Sequence, residues 1–119
     1  MKVFGDNYDT KDGTCIRDYV HVDDLAQAHI DGYNYLTKGG KSDTFNCGYN
    51  QGYTVLEVLD AIEKVTNKKL SYTIGERRAG DATKLISQAN KIKKHLNWQP
   101  KYYDLEMICK TAYEWEKKI

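Results

Sequence analysis

The sequence predicts an α/β fold of short mixed strands and about four helices, and three observations carry that expectation. A capping box, Thr54-Val55-Leu56-Glu57, opens an apolar stripe at helical spacing. Short apolar or alternating runs bounded by Gly, Asn and Asp lie between the helical stretches, which is the pattern of strands separated by turns. A chain of 119 residues that is 40% hydrophobic is long enough for one compact domain and too short for two.

Taken in order, Lys2-Val3-Phe4 is a short strand, and Gly5 to Cys15, rich in Gly, Asp, Asn and Thr, is a loop. Cys15 to Val22 is read as extended. Asp23 or Asp24 is expected to cap the next helix, whose apolar or small positions Leu25, Ala28, Gly32 and Leu36 fall on one face and which stops at Gly39-Gly40. Thr44 to Cys47 is a strand candidate, followed by the turn Gly48 to Gly52. The capping box then starts a helix carrying Val55, Val58, Leu59, Ile62 and Val65 and ending near Asn67.

Leu70 to Ile74 is a further strand candidate, and Gly75 to Ala82 is a charged, Gly-containing loop. Ile86 leads into a short helix with Ala89, Ile92 and Leu96 on one side. Pro100 disfavours helix at Gln99 and ends that element. Asp104 is expected to cap a last helix with Leu105, Ile108, Ala112, Trp115 and Ile119 on its apolar side.

The chain carries 18 Lys+Arg against 17 Asp+Glu, so it has no global basic footprint, and nucleic acid is not expected as a partner. The charge is nonetheless unevenly divided: the first 60 residues are net acidic and the rest net basic. No run approaches the roughly 18 apolar residues of a membrane span, and the N-terminus turns acidic at once, so a soluble, cytoplasmic protein without a membrane partner is expected. Cys15, Cys47 and Cys109 lie far apart without metal-site spacing and are expected to be buried free thiols.

Three places present polar groups in patterns that bear chemistry. His21 with Asp23 and Asp24 has the composition of a metal or acid–base cluster, although a strand-to-helix junction of this kind favours capping and a packed imidazole. Gly48 to Gly52 precedes a helix N-terminus, a position that attracts anions, but lacks the spacing of a phosphate loop. In Gly75-Glu76-Arg77-Arg78-Ala79-Gly80-Asp81, guanidinium groups on a Gly-flanked loop are able to fork onto phosphate oxygens, while a carboxylate accepts from hydroxyls. Arg17 supplies a further positive charge.

The run Gly13-Thr14-Cys15-Ile16-Arg17-Asp18-Tyr19-Val20-His21-Val22-Asp23-Asp24-Leu25 resembles the signature of UDP-glucose 4-epimerases, members of the extended short-chain dehydrogenase/reductases. The resemblance continues through Phe45-Asn46-Cys47-Gly48, the helix from Thr54, Arg77-Arg78-Ala79-Gly80-Asp81 and Leu96-Asn97-Trp98-Gln99-Pro100, in the family's order. It implies that residues 1–119 form the C-terminal UDP-sugar-binding segment of a Rossmann-type epimerase. The NAD-binding part, with its catalytic Ser/Thr and Tyr-x-x-x-Lys, would lie outside these residues. Tyr113 and Lys117 have the right separation only because they share a helix.

Carried over residue by residue, the resemblance implies that Arg17 and Arg78 bind the diphosphate, Asp81 the ribose hydroxyls and the strand ending at Phe4 the uracil, with Leu85 near the sugar pocket where some members carry a bulky aromatic. It also implies an enzyme of galactose metabolism that uses NAD and forms a homodimer at full length. The isolated segment is expected to be inactive and prone to self-association. Two other readings stand beside it: another nucleotide-sugar epimerase or dehydratase of the same family, and a non-catalytic module that binds anions or proteins.

Overall fold

The computed structural model describes all 119 residues, which form nine secondary-structure elements joined by loops. These are β1 (Lys2–Phe4), β2 (Ile16–Arg17), α1 (Val22–Thr37), β3 (Tyr53–Thr54), α2 (Val55–Thr66), β4 (Thr73–Gly75), β5 (Lys84–Leu85), α3 (Asn90–Leu96) and α4 (Leu105–Glu116). The α/β class and the four helices agree with the sequence. β1 and β4 make a parallel pair, with Phe4 opposite Gly75. β2 is the centre of a second sheet, antiparallel to β3 and parallel to β5, with Arg17 opposite Tyr53 on one side and Leu85 on the other.

The buried apolar side chains gather in two small clusters. Ala28 of α1, Ala89, Ile92 of α3 and Trp98 form one, covered by Phe45, Cys47, Tyr49 and Leu96. Ala61 of α2 with Leu105 and Cys109 of α4 forms the other, covered by Tyr53, Val58, Ile62 and Val65. The radius of gyration is 16.7 Å, whereas a compact chain of this length has roughly 13–14 Å. The accessible surface, 8286 Å², likewise exceeds the roughly 6600 Å² of a folded monomer of this mass.

Several expectations are corrected. The cap of α1 is His21, whose Nδ1 accepts from the Asp23 amide at 3.0 Å, not Asp23 or Asp24. With Nδ1 accepting, the ring proton sits on Nε2, which donates to Thr111 Oγ1 at 2.8 Å, and the imidazole stacks on Tyr102. Capping and packing therefore account for this histidine. Of the expected inner positions of α1, Ala28 is buried, but Leu25 and Leu36 are exposed alongside Val22, Ile30 and Tyr33. The helix buries one face and leaves an apolar stripe on another.

The expected strand Thr44 to Cys47 makes no ladder, because no neighbouring strand is there to pair with it, and its Phe45 and Cys47 pack on the first core instead. Only Ile16–Arg17 of the segment Cys15 to Val22 is paired, and β4 begins at Thr73 rather than Leu70. The last helix ends at Glu116, so Ile119 lies beyond it, and both Trp115 and Ile119 are exposed, since α2 covers only the Leu105 and Cys109 edge of α4. All three thiols are free, with Cys15 and Cys109 buried and Cys47 half-buried.

The capping box holds. Thr54 Oγ1 accepts from the Glu57 amide at 3.1 Å, and Glu57 accepts from the Thr54 amide at 2.8 Å. Asp104 caps α4 through the Met107 amide, and Asn67 closes α2 in the left-handed conformation.

Candidate functional site

The two parallel ladders bring together residues that are far apart in sequence. β1 lies beside β4 and β2 beside β5, so the segment from Glu76 to Thr83 runs from the first sheet to the second. Phe4 on one side, Arg17 and Leu85 on the other, and Arg78 and Asp81 on the connecting loop thus surround one surface. All five residues singled out in the sequence belong to this cluster of elements.

A tight turn sets the loop. The Asp81 amide donates to the Arg78 carbonyl at 3.3 Å, and Gly80, at the third turn position, has φ +83°, a conformation that penalises a side chain. Across the turn, Arg78 Nε donates to Asp81 Oδ2 at 2.9 Å, and the guanidinium carbon lies 4.7 Å from the centroid of the Phe4 ring. Arg78 is thereby held at one edge and on one face, and its terminal amines make no hydrogen bond within the chain. Its side chain is 59% exposed.

Arg17 is fixed differently. Its Nη1 donates to the carbonyls of Ile16 and Ala82, both at 2.8 Å, and its Nη2 lies 3.7 Å from Asp81 Oδ1. Asp81 therefore faces both guanidiniums. Leu85, the Cα partner of Arg17, is 63% exposed at the edge of the same surface.

Arg77, adjacent to Arg78 in sequence, points to a separate task. Its guanidinium stacks on the Tyr8 ring at 4.0 Å, its Nε donates to Asn7 Oδ1 at 2.7 Å, and it also donates to the Asn7 carbonyl. Gly5 lets the chain pass beneath it: a Cβ there would sit 2.7 Å from Arg77 Cγ. The arginine pair divides into one that ties the loop down and one that stays open to solvent. Composition did not distinguish them.

The helix N-terminus after Gly48 to Gly52 is not open to an anion. The Tyr49 amide is given to Asp18, the Val55 amide to the Cys15 carbonyl, the Leu56 amide to Thr14 Oγ1 and the Glu57 amide to Thr54. The turn is structural.

Sequence reasoning passed over Asp18 and misassigned Asp24. Asp18 accepts from the amides of Tyr49 and Ser87 at 3.2 Å, and Gly48 has no side chain because a Cβ would lie 2.4 Å from Asp18 Oδ2. Alternation along β2 is the signal that was available: with Arg17 directed one way, the next side chain goes the other. Asp24, 3% exposed, accepts from the Tyr49 hydroxyl at 2.6 Å and from the amides of Lys101 and Tyr102 at 2.8 and 2.9 Å. Burial and the bond to Asp24 push the Tyr49 phenol well above its ordinary range, so it remains a donor.

A family model described as GDP-mannose 4,6 dehydratase matches residues 1–111. The chain belongs to the GDP-mannose 4,6 dehydratase family. Within that family it is similar to proteins named UDP-glucose 4-epimerase. It is 48% identical to the one from Rhizobium meliloti strain 1021 over 99% of this chain and 36% of that protein.

The solved structure of the UDP-Glc/GlcNAc 4-epimerase from Campylobacter jejuni is 51% identical with a TM-score of 0.89, covering 100% of this chain and 36% of that one. The UDP-glucose 4-epimerase from Stenotrophomonas maltophila, solved with bound NAD and formylated UDP-arabinopyranose, is 36% identical with a TM-score of 0.93, covering 99% and 35%. The chain thus spans about a third of the length of the relatives it matches.

Proposed function

We propose that these residues are the C-terminal, UDP-sugar-holding part of a UDP-glucose/UDP-galactose 4-epimerase of galactose metabolism. The observation that carries the reading is the pair Arg17 and Arg78 on one surface with Phe4 and Asp81. Two guanidiniums with unused N–H groups match a diphosphate, and Phe4, 37% exposed beside Arg78, adds an aromatic ring at the edge of the same surface toward which a base is able to lie. Similarity to epimerases along nearly the entire chain supports the same reading.

NAD, when bound by the preceding part, supplies removal and return of hydride at the sugar C4. The residues present here do not fit it: the one helix start that follows a glycine-containing turn has its amides satisfied internally. The contribution of this segment is therefore positional. Arg17 and Arg78 neutralise the diphosphate, Asp81 accepts from ribose hydroxyls, and binding energy remote from C4 places the sugar for reaction. In this reading the isolated segment neither retains NAD nor turns over UDP-galactose.

The excess surface and the open apolar stripe of α1 support a segment that packs on a further part of the protein, which at full length forms a homodimer. Expressed alone, the segment self-associates through that stripe, which light scattering at increasing concentration reads directly; a persistent monomer counts against this.

A broader sugar range has its own observation. Leu85 is exposed and not aromatic, and the Campylobacter jejuni relative at 51% identity is named for both UDP-Glc and UDP-GlcNAc. Acceptance of the N-acetylated sugar follows. The central test is calorimetry with UDP on the full-length protein. Arg78→Ala weakens binding by about 1.5–3 kcal/mol, the range for a charge-assisted hydrogen bond. Unchanged affinity in both Arg17→Ala and Arg78→Ala overturns the proposal.

A further inference from the structure

The end of α1 carries a polar stripe that none of the preceding roles uses. Asp31, Asn34, Tyr35 and Lys38 stand at i, i+3, i+4 and i+7, so they share one side of the helix and its C-cap. That side continues the one that buries Ala28, but its cover runs out. Leu96 approaches α1 at Gly32, where a Cβ would lie 3.8 Å from its Cδ2, and α3 then stops. Asn97, in the left-handed conformation, turns the chain to Trp98, whose indole reaches the Asp24 carbonyl near the start of α1. A cleft of about 540 Å³ opens between the α1 stripe and the pair His95 and Asn97, within the roughly 300–1,000 Å³ of small-molecule sites.

The walls of this cleft are fixed while its polar groups are free. Gly40 passes against the Tyr35 ring, where a Cβ would sit 2.5 Å from the nearest ring atom, and Phe45 meets the same ring edge-on at 5.8 Å. Asp31 Oδ1 accepts from Gln27 Nε2 at 2.8 Å, which leaves Oδ2 open. The Asn34 amide, the Tyr35 hydroxyl, the Lys38 ammonium and the His95 imidazole line the cleft without a hydrogen bond inside the chain. The carbonyls of the helix end are engaged: Asn34 by the Lys38 amide, Tyr35 by Gly40 and Leu36 by Gly39.

That inventory selects a ligand class. A metal ion would find one carboxylate with a lysine alongside and the helix-end carbonyls already engaged. An anion attracted by Lys38 would face Asp31. An apolar molecule would find only Tyr35 and Leu96. A pyranose matches every part: adjacent hydroxyls donate to Asp31 and accept from Asn34 and Lys38, while its C–H side lies on Tyr35 and Leu96. We propose that the cleft between α1 and the end of α3 binds a neutral monosaccharide, as the free sugar or a simple glycoside. It stands on other elements than the arginine surface and does not rest on the UDP-sugar reading.

Saturation-transfer difference NMR on the full-length protein tests this, with methyl β-D-galactopyranoside and methyl β-D-glucopyranoside as probes and UDP present in excess throughout. At least one glycoside gives a saturable signal with a Kd of roughly 1–10 mM, as expected of an open cleft. Asp31→Asn weakens it about tenfold through loss of charge-assisted bonds. Asn34→Ala removes an exposed amide that holds nothing in the chain, so it leaves the thermal midpoint in place and weakens the glycoside about threefold. Lys94→Ala, on α3 but outside the cleft, leaves binding unchanged. Absence of saturable binding by both glycosides up to about 50 mM overturns the proposal. So does binding that survives both Asp31→Asn and Asn34→Ala, which puts the sugar elsewhere, and so does displacement of the glycoside by equimolar inorganic phosphate, which makes the cleft an anion site.

Discussion

Asp24 and Asp81 show two uses of a carboxylate in one small chain. Asp24 sits in the first turn of α1, 3% exposed, with no cation beside it; three donors from remote segments and the helix N-terminus supply its compensation. The Trp98 indole adds a bond to the backbone carbonyl of the same residue at 2.9 Å. Around Asp24, α1, the turn at Tyr49 and the segment after Pro100 are drawn together with their donors engaged. Asp81 faces two cations at the rim and leaves Arg78 with donors to spare. Where hydrogen bonds are completed internally, the molecule holds its shape. Where charged donors are held in place but left free, it has something to offer a ligand.

The largest effect that tests this contrast is Asp24→Ala. It orphans the Tyr49 hydroxyl and two backbone amides, and at about 1–3 kcal/mol for each unsatisfied buried donor the loss is about 3 kcal/mol or more. Asp24→Asn retains one oxygen acceptor and loses less. Urea unfolding followed by tryptophan fluorescence is an apt probe, because Trp98 lies in the same cluster. A change below about 1 kcal/mol in Asp24→Ala would erase the distinction between the two carboxylates.

How much of this was legible beforehand divides along the same line. The capping box, the Asp104 cap and the four helices rest on local chemistry, and they were read correctly because capping spacing is contained within a few residues. Of the candidate site residues, Arg17, Arg78 and Asp81 stand out as charges on or near a Gly-flanked loop, Phe4 and Leu85 came from resemblance, and the parallel ladders bring the five together. What was missed depends on distant partners. Asp24 looks like a cap until Lys101, Tyr102 and Tyr49 are brought to it. β3 and β5 are two-residue strands that exist only because β2 lies between them. Leu25 and Leu36 have the spacing of a buried face, but spacing says nothing of which neighbour covers them.

Leu85 extends the comparison to the open side of the site, where a substitution is expected to alter selectivity and leave stability nearly unchanged. Its side chain is exposed at the end of a two-residue strand, so no core packing depends on it. Leu85→Tyr in the full-length protein adds a bulky ring beside the proposed sugar pocket. Turnover of UDP-N-acetylglucosamine is expected to drop about tenfold relative to UDP-glucose, equivalent to about 1.4 kcal/mol of discrimination, within the range a shape change in a pocket provides. Equal loss on both sugars would remove Leu85 from any gating role.

The smallest expected effect concerns a third carboxylate that stands between the other two in character. Asp12 accepts from the Thr14 amide at 2.9 Å, from the Thr14 hydroxyl at 2.7 Å and from the Thr54 hydroxyl, and so ties the loop after β1 to the cap of α2. Burial raises its pKa, but the bonds from Thr54 and Thr14 outweigh that and hold it below the ordinary value of 3.8, with Lys11 adding a minor attraction. Because the folded value is the lower one, Asp12 contributes stability at pH values above 3.8, and that contribution disappears as the pH falls through the folded value. Glu57, also held low beside Lys11, loses its contribution in a neighbouring window, so the wild-type acid limb is a sum of the two. Asp12→Asn isolates one of them: at neutral pH the variant is less stable by about 1 kcal/mol, the worth of a typical hydrogen bond, and below about pH 4 the gap to wild type narrows. Urea midpoints measured from pH 7 down to pH 3 report that convergence, and parallel acid limbs for the two proteins would show that Asp12 is bonded no better folded than unfolded.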